Sequence, residues 1–196
     1  MASVALFRHE FKGYIQTKVV KETFNGASYD TTRPFNTDDG YLQGAEVAYR
    51  TFFDKLPGVW SGLGVEANAT YTEGQTSTAS DPSLSNKPFA GMSKWSYNVV
   101  GLYEKYGVSA RLAYNWRSKF VQTYNDGGPG LDLIASPMSS LDGSLGYKIN
   151  ENTTVTVTGA NLLNFKYTDY WSNKALYPRD TRRYDRSVGV FLNWKI

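Results

Sequence analysis

Two groups of side chains in this sequence have the types and spacing to bind a partner. The first is the stretch Tyr167-Thr168-Asp169-Tyr170-Trp171-Ser172-Asn173-Lys174, continuing through Tyr177-Pro178-Arg179 to Arg182-Arg183-Tyr184. Here the rings of Tyr170 and Trp171 interleave with the guanidiniums of Arg179 and Arg182, a mixture that can hold an aromatic or anionic ligand by stacking and charge-assisted hydrogen bonds. The same mixture suits a loop in a lipid headgroup layer, with rings at the interface and arginines on phosphates. The second group, Glu46, Glu66, Arg111 and Arg117, falls on the polar side of alternating stretches. Such charges can dock a protein segment or satisfy one another as ion pairs.

Chemistry in the catalytic sense has no such footing. His9 is the only histidine, and no Cys or acidic pair stands at ligand spacing from it, so it reads as an ordinary strand residue. No Ser/His/Asp set can be assembled around it, and no phosphate loop is present. Asp126-Gly127-Gly128 and Asp38-Asp39-Gly40 lack the ordered acidic spacing of a calcium loop and read as turns. The expectation is therefore no catalytic residue, no metal, no cofactor and no enzyme. Lys+Arg 21 against Asp+Glu 18 gives a formal charge of +3 without a basic block, which argues against a nucleic-acid partner. The absence of cysteine excludes disulfides and thiolate sites.

The elements that must position these residues alternate with period two. Between Val4 and Thr17, Ala5, Phe7, Phe11 and Ile15 share one face against Arg8, Glu10 and Lys12. Between Tyr41 and Phe53, Tyr41, Ala45, Val47, Tyr49 and Phe53 oppose Gly44, Glu46, Ala48 and Arg50. Leu56-Pro57-Gly58 turns the chain into Leu63 to Thr72, where Leu63, Val65, Ala67, Ala69 and Tyr71 oppose Gly64, Glu66, Asn68 and Thr70. Trp95 to Tyr103 and Val108 to Trp116 form a second hairpin about Lys105-Tyr106-Gly107. Leu141 to Ile149 and Thr153 to Leu163 form a third about Asn150-Glu151-Asn152, and Ser187 to Ile196 closes the chain. Polar stretches at Thr17 to Asp39, Glu73 to Ser93, Thr123 to Pro137 and Phe165 to Arg182 read as long loops.

The count is about eight strands, with short turns on one side and loops of about 15 to 25 residues on the other, an asymmetry typical of outer-membrane barrels. Many strands run to about ten residues, the length a tilted membrane strand requires. Phe53, Trp60, Tyr103, Tyr106, Tyr147 and Trp194 lie toward the short turns, and Tyr14, Tyr41, Tyr71, Trp95, Trp116 and Tyr184 toward the long loops, which would make two aromatic girdles. Aromatics at 15% with a mean hydropathy of -0.45 suit a wall apolar on one side and polar on the other. The start, Met1 to His9, has too short an apolar core and no basic region for a signal peptide, so a domain cut from a longer exported chain is expected.

In the closing stretch Val188, Val190, Leu192, Trp194 and Ile196 share one face, while Ser187, Gly189, Asn193 and Lys195 share the other. The spacing of Ser187, Gly189, Leu192 and Trp194 resembles the C-terminal signal by which bacterial outer-membrane barrels are recognised by the barrel-assembly machinery, although this chain ends in Ile196 where many such barrels end in Phe. Together with Gly44-Ala45-Glu46-Val47, Leu56-Pro57-Gly58, Trp95-Ser96-Tyr97-Asn98, Tyr114-Asn115-Trp116-Arg117 and Asn161-Leu162-Leu163-Asn164, the chain resembles the C-terminal part of the β-barrel of TonB-dependent outer-membrane receptors.

That resemblance implies an all-β, antiparallel, up-and-down transmembrane segment of about eight strands, roughly the last third of a barrel of about 22. It implies residues 1–196 as barrel without a plug domain, a place in the cell outer membrane amid lipid and lipopolysaccharide, and active uptake of a scarce ligand such as a ferric siderophore, cobalamin or carbohydrate. The plug domain and the TonB system would act through an N-terminal part that has no counterpart here. Two other readings stand beside it: a self-contained small eight-stranded outer-membrane barrel for adhesion or envelope anchoring, and a soluble β-sandwich that binds carbohydrate, in which the same alternation faces a core.

Overall fold

The computed structural model describes residues 1–76 and 84–195, the side chains of Gln16 and Lys18 apart; Ile196, expected on the apolar face, lies outside the described residues, as does part of the connection from Glu73 to Ser93. The strands in chain order are β1 (Ala2–Lys12), β2 (Ile15–Phe24), β3 (Ala27–Asn36), β4 (Asp39–Phe52), β5 (Leu63–Thr76), β6 (Lys87–Pro88), β7 (Trp95–Lys105) and β8 (Val108–Arg117). They continue with β9 (Phe120–Thr123), β10 (Leu133–Ala135), β11 (Met138–Asn150), β12 (Thr153–Ala160), β13 (Lys166–Trp171), β14 (Pro178–Arg183) and β15 (Ser187–Trp194). The eight alternating stretches are β1, β4, β5, β7, β8, β11, β12 and β15, and one antiparallel sheet joins them in that order, with β6 added to β5. β1 and β15 are the two ends of the order, and among the described residues they do not pair with each other as the end strands of a small closed barrel would.

The chain divides into two compact units. The first comprises Met1–Leu6, Ala45–Thr72 and Ala90–Ile196. Directly opposed residues of antiparallel strands share a face. Leu63, Tyr103, Ala110, Leu145, Val157 and Val190 thus form one apolar row across six strands. The neighbouring row, Gly64, Leu102, Arg111, Ser144, Thr158 and Gly189, belongs to the other face. Val188, Val190, Leu192 and Trp194 are 68% to 72% exposed, and a β-sandwich would have covered that face with a second sheet. The apolar face of these strands is the exposed one, while Val100 and Ala113 on the opposite face are buried.

Short connections end the strands at one side. Tyr106 and Gly107, at φ 53° and 76°, form the doubly positive pair that a two-residue hairpin requires. The 3-10 turn Gly58–Gly62 is tied down by Lys105, whose Nζ donates to the Gly58 carbonyl at 2.7 Å and to Ser61 Oγ. Toward the long connections Tyr71 meets Trp95 at 4.7 Å and Tyr97 stacks on Trp116 at 5.0 Å.

Asn161 ends β12 and holds the turn that follows. Its φ is 52°, its N–H donates to Asp142 Oδ1 at 2.8 Å, its Nδ2 donates to the Tyr184 carbonyl, and its Oδ1 accepts from the Phe165 N–H at 2.8 Å. The turn lays Leu162 over Gly159, where an added Cβ would lie 2.7 Å from the leucine. Asn161→Ala removes both side-chain bonds and places a Cβ residue without local compensation at positive φ, so it should cost about 2 kcal/mol. Asn161→Gly, which tolerates the backbone, should cost about half of that; urea midpoints of the two purified variants check the order.

The second unit comprises Phe7–Gly44 and Glu73–Phe89. The stretch Thr17 to Asp39, expected as a loop, is instead mostly a hairpin: β2 and β3 pair from Ile15↔Asn36 to Phe24↔Ala27. Asn25 and Gly26, at φ 49° and 80°, make its turn, and Arg33 clamps Glu22 through Nε and Nη2 at 2.9 and 2.8 Å. Neither face of this ribbon gathers apolar residues, which is why period two did not reveal it. Phe11, Tyr14 and Phe89 meet within 5.1 to 5.9 Å, and Gly40 admits the Phe11 ring, which an added Cβ would approach to 2.5 Å.

The faces of β1 also differ from expectation. Met1 and Arg50 exchange both backbone hydrogen bonds, so in the first unit Met1, Ser3 and Ala5 fall on the Arg50 face while Val4 and Leu6 fall with Val47 and Tyr49. In the second unit Phe11 shares a face with Gly40, and Arg8 reaches Gln43 at 2.7 Å and stacks on Tyr41. The proposed apolar set Ala5, Phe7 and Phe11 is therefore replaced by Val4 and Leu6, because Phe11 is taken by the space over Gly40.

The stretches Thr123 to Pro137 and Phe165 to Arg182, also expected as loops, contribute β10, β13 and β14, which with β9 form a four-stranded sheet in the order β14-β13-β10-β9.

Candidate functional site

The polar face of the first unit places the four expected charges together by alternation. Glu66 stands opposite Val100 on β7, Ala113 on β8 follows, and Arg111 and Arg117 lie on the same side of β8. Phe52 packs over Gly64, so Arg50 and Glu46 share that side of β4. Only Glu66 is ion-paired, with Arg50 Nε at 2.8 Å; Glu46 and Arg111 have no ion pair among the described residues. Arg117 donates from Nε to Ser93 Oγ at 2.7 Å and from Nη2 to the Gly91 carbonyl at 2.9 Å, with its guanidinium 4.1 Å from the Phe120 ring. A cavity of about 310 Å³ opens between Arg50, Glu66, Glu104 and Arg111. The four charges share a face, then, but not a mutual network.

The four-stranded loop sheet holds the aromatic and guanidinium set. β13 aims Tyr167, Asp169 and Trp171 to one side and Tyr170 to the other, where it is buried opposite Ile134. The Asp169 side chain is only 2% exposed, and its Oδ2 accepts from Arg179 Nη1 at 3.1 Å, Gln122 Nε2 at 3.4 Å and Tyr167 OH at 3.4 Å. Arg182 Nε donates to Asp180 Oδ2 at 2.5 Å, which holds that carboxyl below its ordinary range. Trp171 Nε1 donates to Asp126 Oδ2 at 2.9 Å, and Arg179 lies 5.9 Å from the same ring. Trp171, Arg179 and Arg182 thus sit on one sheet with their polar atoms committed internally, and Tyr170 faces away from them. No group of acidic or histidine side chains able to hold a metal occurs among the described residues.

Tyr124, at the bend between β9 and β10, is pushed up to about 12, first by burial and then by the nearby Asp132 carboxylate. The folded chain therefore holds this proton more tightly than the unfolded chain, whose tyrosine ionises near 10. The stability it contributes is complete below pH 10 and falls away between pH 10 and 12. Tyrosinate absorbance on titration should show one component ionising in that upper range, and Tyr124→Phe should remove it.

The closing strand β15 runs in register with β12 from Ala160↔Ser187 to Thr153↔Trp194. Ser187 and Gly189 share one face and Leu192 and Trp194 the other, and β15 pairs with no second strand among the described residues. Two features of the site went unread in the sequence. Asp169 was visible only as one residue of an aromatic loop, since its burial depends on β10 lying opposite. Asn68, Asn98 and Asn115 each stood on a polar face, but only the strand register lines them up.

No curated relative matches the sequence. Among solved structures, the chain is similar to one described as the copper transporter OprC, with a TM-score of 0.65 and 13% identity over 98% of this chain and 28% of that one. It is also similar to a mutant of the ferric enterobactin receptor PfeA from Pseudomonas aeruginosa, with a TM-score of 0.60 and 15% identity over 97% of this chain and 28% of that one. The likeness is one of fold, and the chain spans well under half the length of either structure. Residues 1–162 match the family described as TonB dependent receptor-like, beta-barrel, and the chain belongs to that family.

Proposed function

We propose that residues 1–196 form the C-terminal portion of the barrel of an outer-membrane TonB-dependent receptor, a transporter rather than an enzyme, that takes up a scarce ligand such as a ferric siderophore, cobalamin or carbohydrate. The plug domain and the contact with TonB are supplied by sequence outside this chain. The observation that carries the reading is the single sheet with an uncovered apolar row from Leu63 to Val190 and a polar row behind it. Only a wall between hydrocarbon and a polar lumen gives both faces a favourable neighbour.

In this reading the apolar face meets outer-membrane lipid, and the loop sheet lies among lipopolysaccharide headgroups at the outer mouth. Trp171, Arg179 and Arg182, with Tyr170 supporting them from behind, shape the ligand entrance. Glu46, Glu66, Arg111 and Arg117 face the plug, Glu66 being the one of the four with an ion pair among the described residues. Ser187, Gly189, Leu192 and Trp194 present β15 to the barrel-assembly machinery, its edge away from β12 being unpaired among the described residues and open to a further strand of the barrel.

Fractionation of producing cells tests this. The protein should remain with outer membranes after high-salt washing, and a protonophore should abolish ligand accumulation by the receptor that contains it. Recovery of the folded chain from the soluble fraction without detergent would overturn the membrane reading.

A further inference from the structure

On the polar face of the first unit, one row of side chains differs from its charged neighbours. Asn68, Asn98, Asn115 and Ser140 stand directly opposite one another across β5, β7, β8 and β11. They form the floor of a cavity of about 500 Å³, with Arg117 at its rim and Phe165 at its side. Within it, Asn115 donates from Nδ2 to Ser140 Oγ at 3.3 Å, and Ser140 donates to Asp142 Oδ2 at 3.3 Å. Asp142 therefore orients Ser140 and Asn115 from the row behind. The Asn68 and Asn98 amides make no side-chain hydrogen bond among the described residues, and Asn98 Oδ1 is buried without a partner.

We infer that this row is a binding site for an uncharged, polyhydroxylated molecule, a neutral oligosaccharide in chemical class; the inference rests on the receptor reading above. A carboxamide both donates and accepts, as a hydroxyl does, so a row of amides matches a row of hydroxyls without any change of protonation. The strand repeat of about 4.8 Å sets the amides at a pitch close to that of alternate equatorial hydroxyls on a pyranose ring. Phe165 offers an apolar surface for the C–H face of such a ring. The row itself carries no charge: Arg117 at the rim donates to Ser93 and the Gly91 carbonyl and lies over the Phe120 ring, and the Asp142 oxygens accept from Ser140 and Asn161. An ionised ligand lying along the row meets no opposite charge among its four residues, whereas a neutral one trades its water hydrogen bonds for amide ones.

Equilibrium dialysis on outer membranes from producing cells tests this with two neutral probes, maltohexaose and cellohexaose, against the hexamer of galacturonic acid, which carries a carboxylate on every ring. At least one neutral probe should bind saturably and at least tenfold more tightly than the acidic one. Asn98→Ala and Asn115→Leu should each weaken it at least tenfold. Saturable binding of neither neutral probe, or binding indifferent to both variants, overturns the inference. Should those variants fail to reach the membrane, Asn98→Cys gives an independent measure through labelling by a small polar maleimide. Protection by the bound neutral oligosaccharide supports the site. Lack of that protection, or a cysteine shielded in the absence of sugar because a protein segment already covers the row, overturns it. Protonophore-sensitive accumulation is scored separately, so that binding without accumulation counts against the transport reading alone, and accumulation of some other ligand without binding to this row counts against the inference alone.

Discussion

Val190→Arg should strip most of the folded barrel from outer-membrane fractions, at a cost of about 2 to 4 kcal/mol for a cation near the hydrocarbon midplane. Val190 is the middle of β15, opposite Val157, in the row that continues through Leu145, Ala110 and Tyr103 to Leu63. An arginine there has only the aliphatic Val157 and Leu145 on the nearest strands of its row. Asn193→Arg is the matched control. Asn193 stands opposite Thr154, which is itself opposite Lys148, so a cation at that position projects to the polar side and near the strand end. Its cost should stay within about 1 kcal/mol. Heat-modifiable migration of the folded form on gels reads both variants in the same preparation. Equal loss for the two would mean that the faces of β15 have been exchanged.

How much of this could be read from residues alone depended on whether a strand buries one face. β5, β8 and β11 alternate, as does β7 apart from Val100 and Leu102 on its polar side, and their residues pair in the register that the alternation demands. The β2–β3 ribbon has the same hydrogen-bonded structure but sets Lys21 opposite Asp30 and Val20 opposite Thr31, so no hydrophobic pattern betrays it; Asn25-Gly26 is its one local signal, and a polar loop carries the same dipeptide. β9 and β10 are too short for any period, four and three residues, and exist because Ile134 pairs with Val121 on one side and Tyr170 on the other. Alternation in β1 points to the wrong face because phenylalanine weighs heavily in any hydrophobic count, whereas Phe11 is placed by a glycine across the strand. The candidate sites followed the same division. Glu66 and Arg111 were legible as charges on a polar face, but the pairing of Glu66 with Arg50 rather than with Arg111 is a matter of strand neighbours that a single strand does not disclose.

Arg179→Ala should loosen the loop sheet by about 2 to 3 kcal/mol, a value set below the 3 to 5 kcal/mol expected for breaking a fully buried pair because the arginine end is partly solvated. The asymmetry of the pair decides the sign of the comparison. Arg179 is 37% exposed and can turn to water, whereas Asp169 is 2% exposed and would be left with two 3.4 Å hydrogen bonds from neutral donors. Its Oδ1 already lacks a partner. Asp169→Asn, which removes the buried charge and keeps the shape, should therefore cost about 1 kcal/mol or less, and adding it to Arg179→Ala should restore most of the loss. Native-state hydrogen exchange at the amides of β13 measures all three, with β8 as the internal reference. If Arg179→Ala proved no worse than Asp169→Asn, the carboxylate would be held by something other than the arginine. If, as proposed, this sheet shapes a ligand entrance, an anion that recruits Arg179 must first replace Asp169, so binding through this residue would carry the cost of opening the sheet, and Arg179→Ala would act by loosening the sheet as much as by removing a contact.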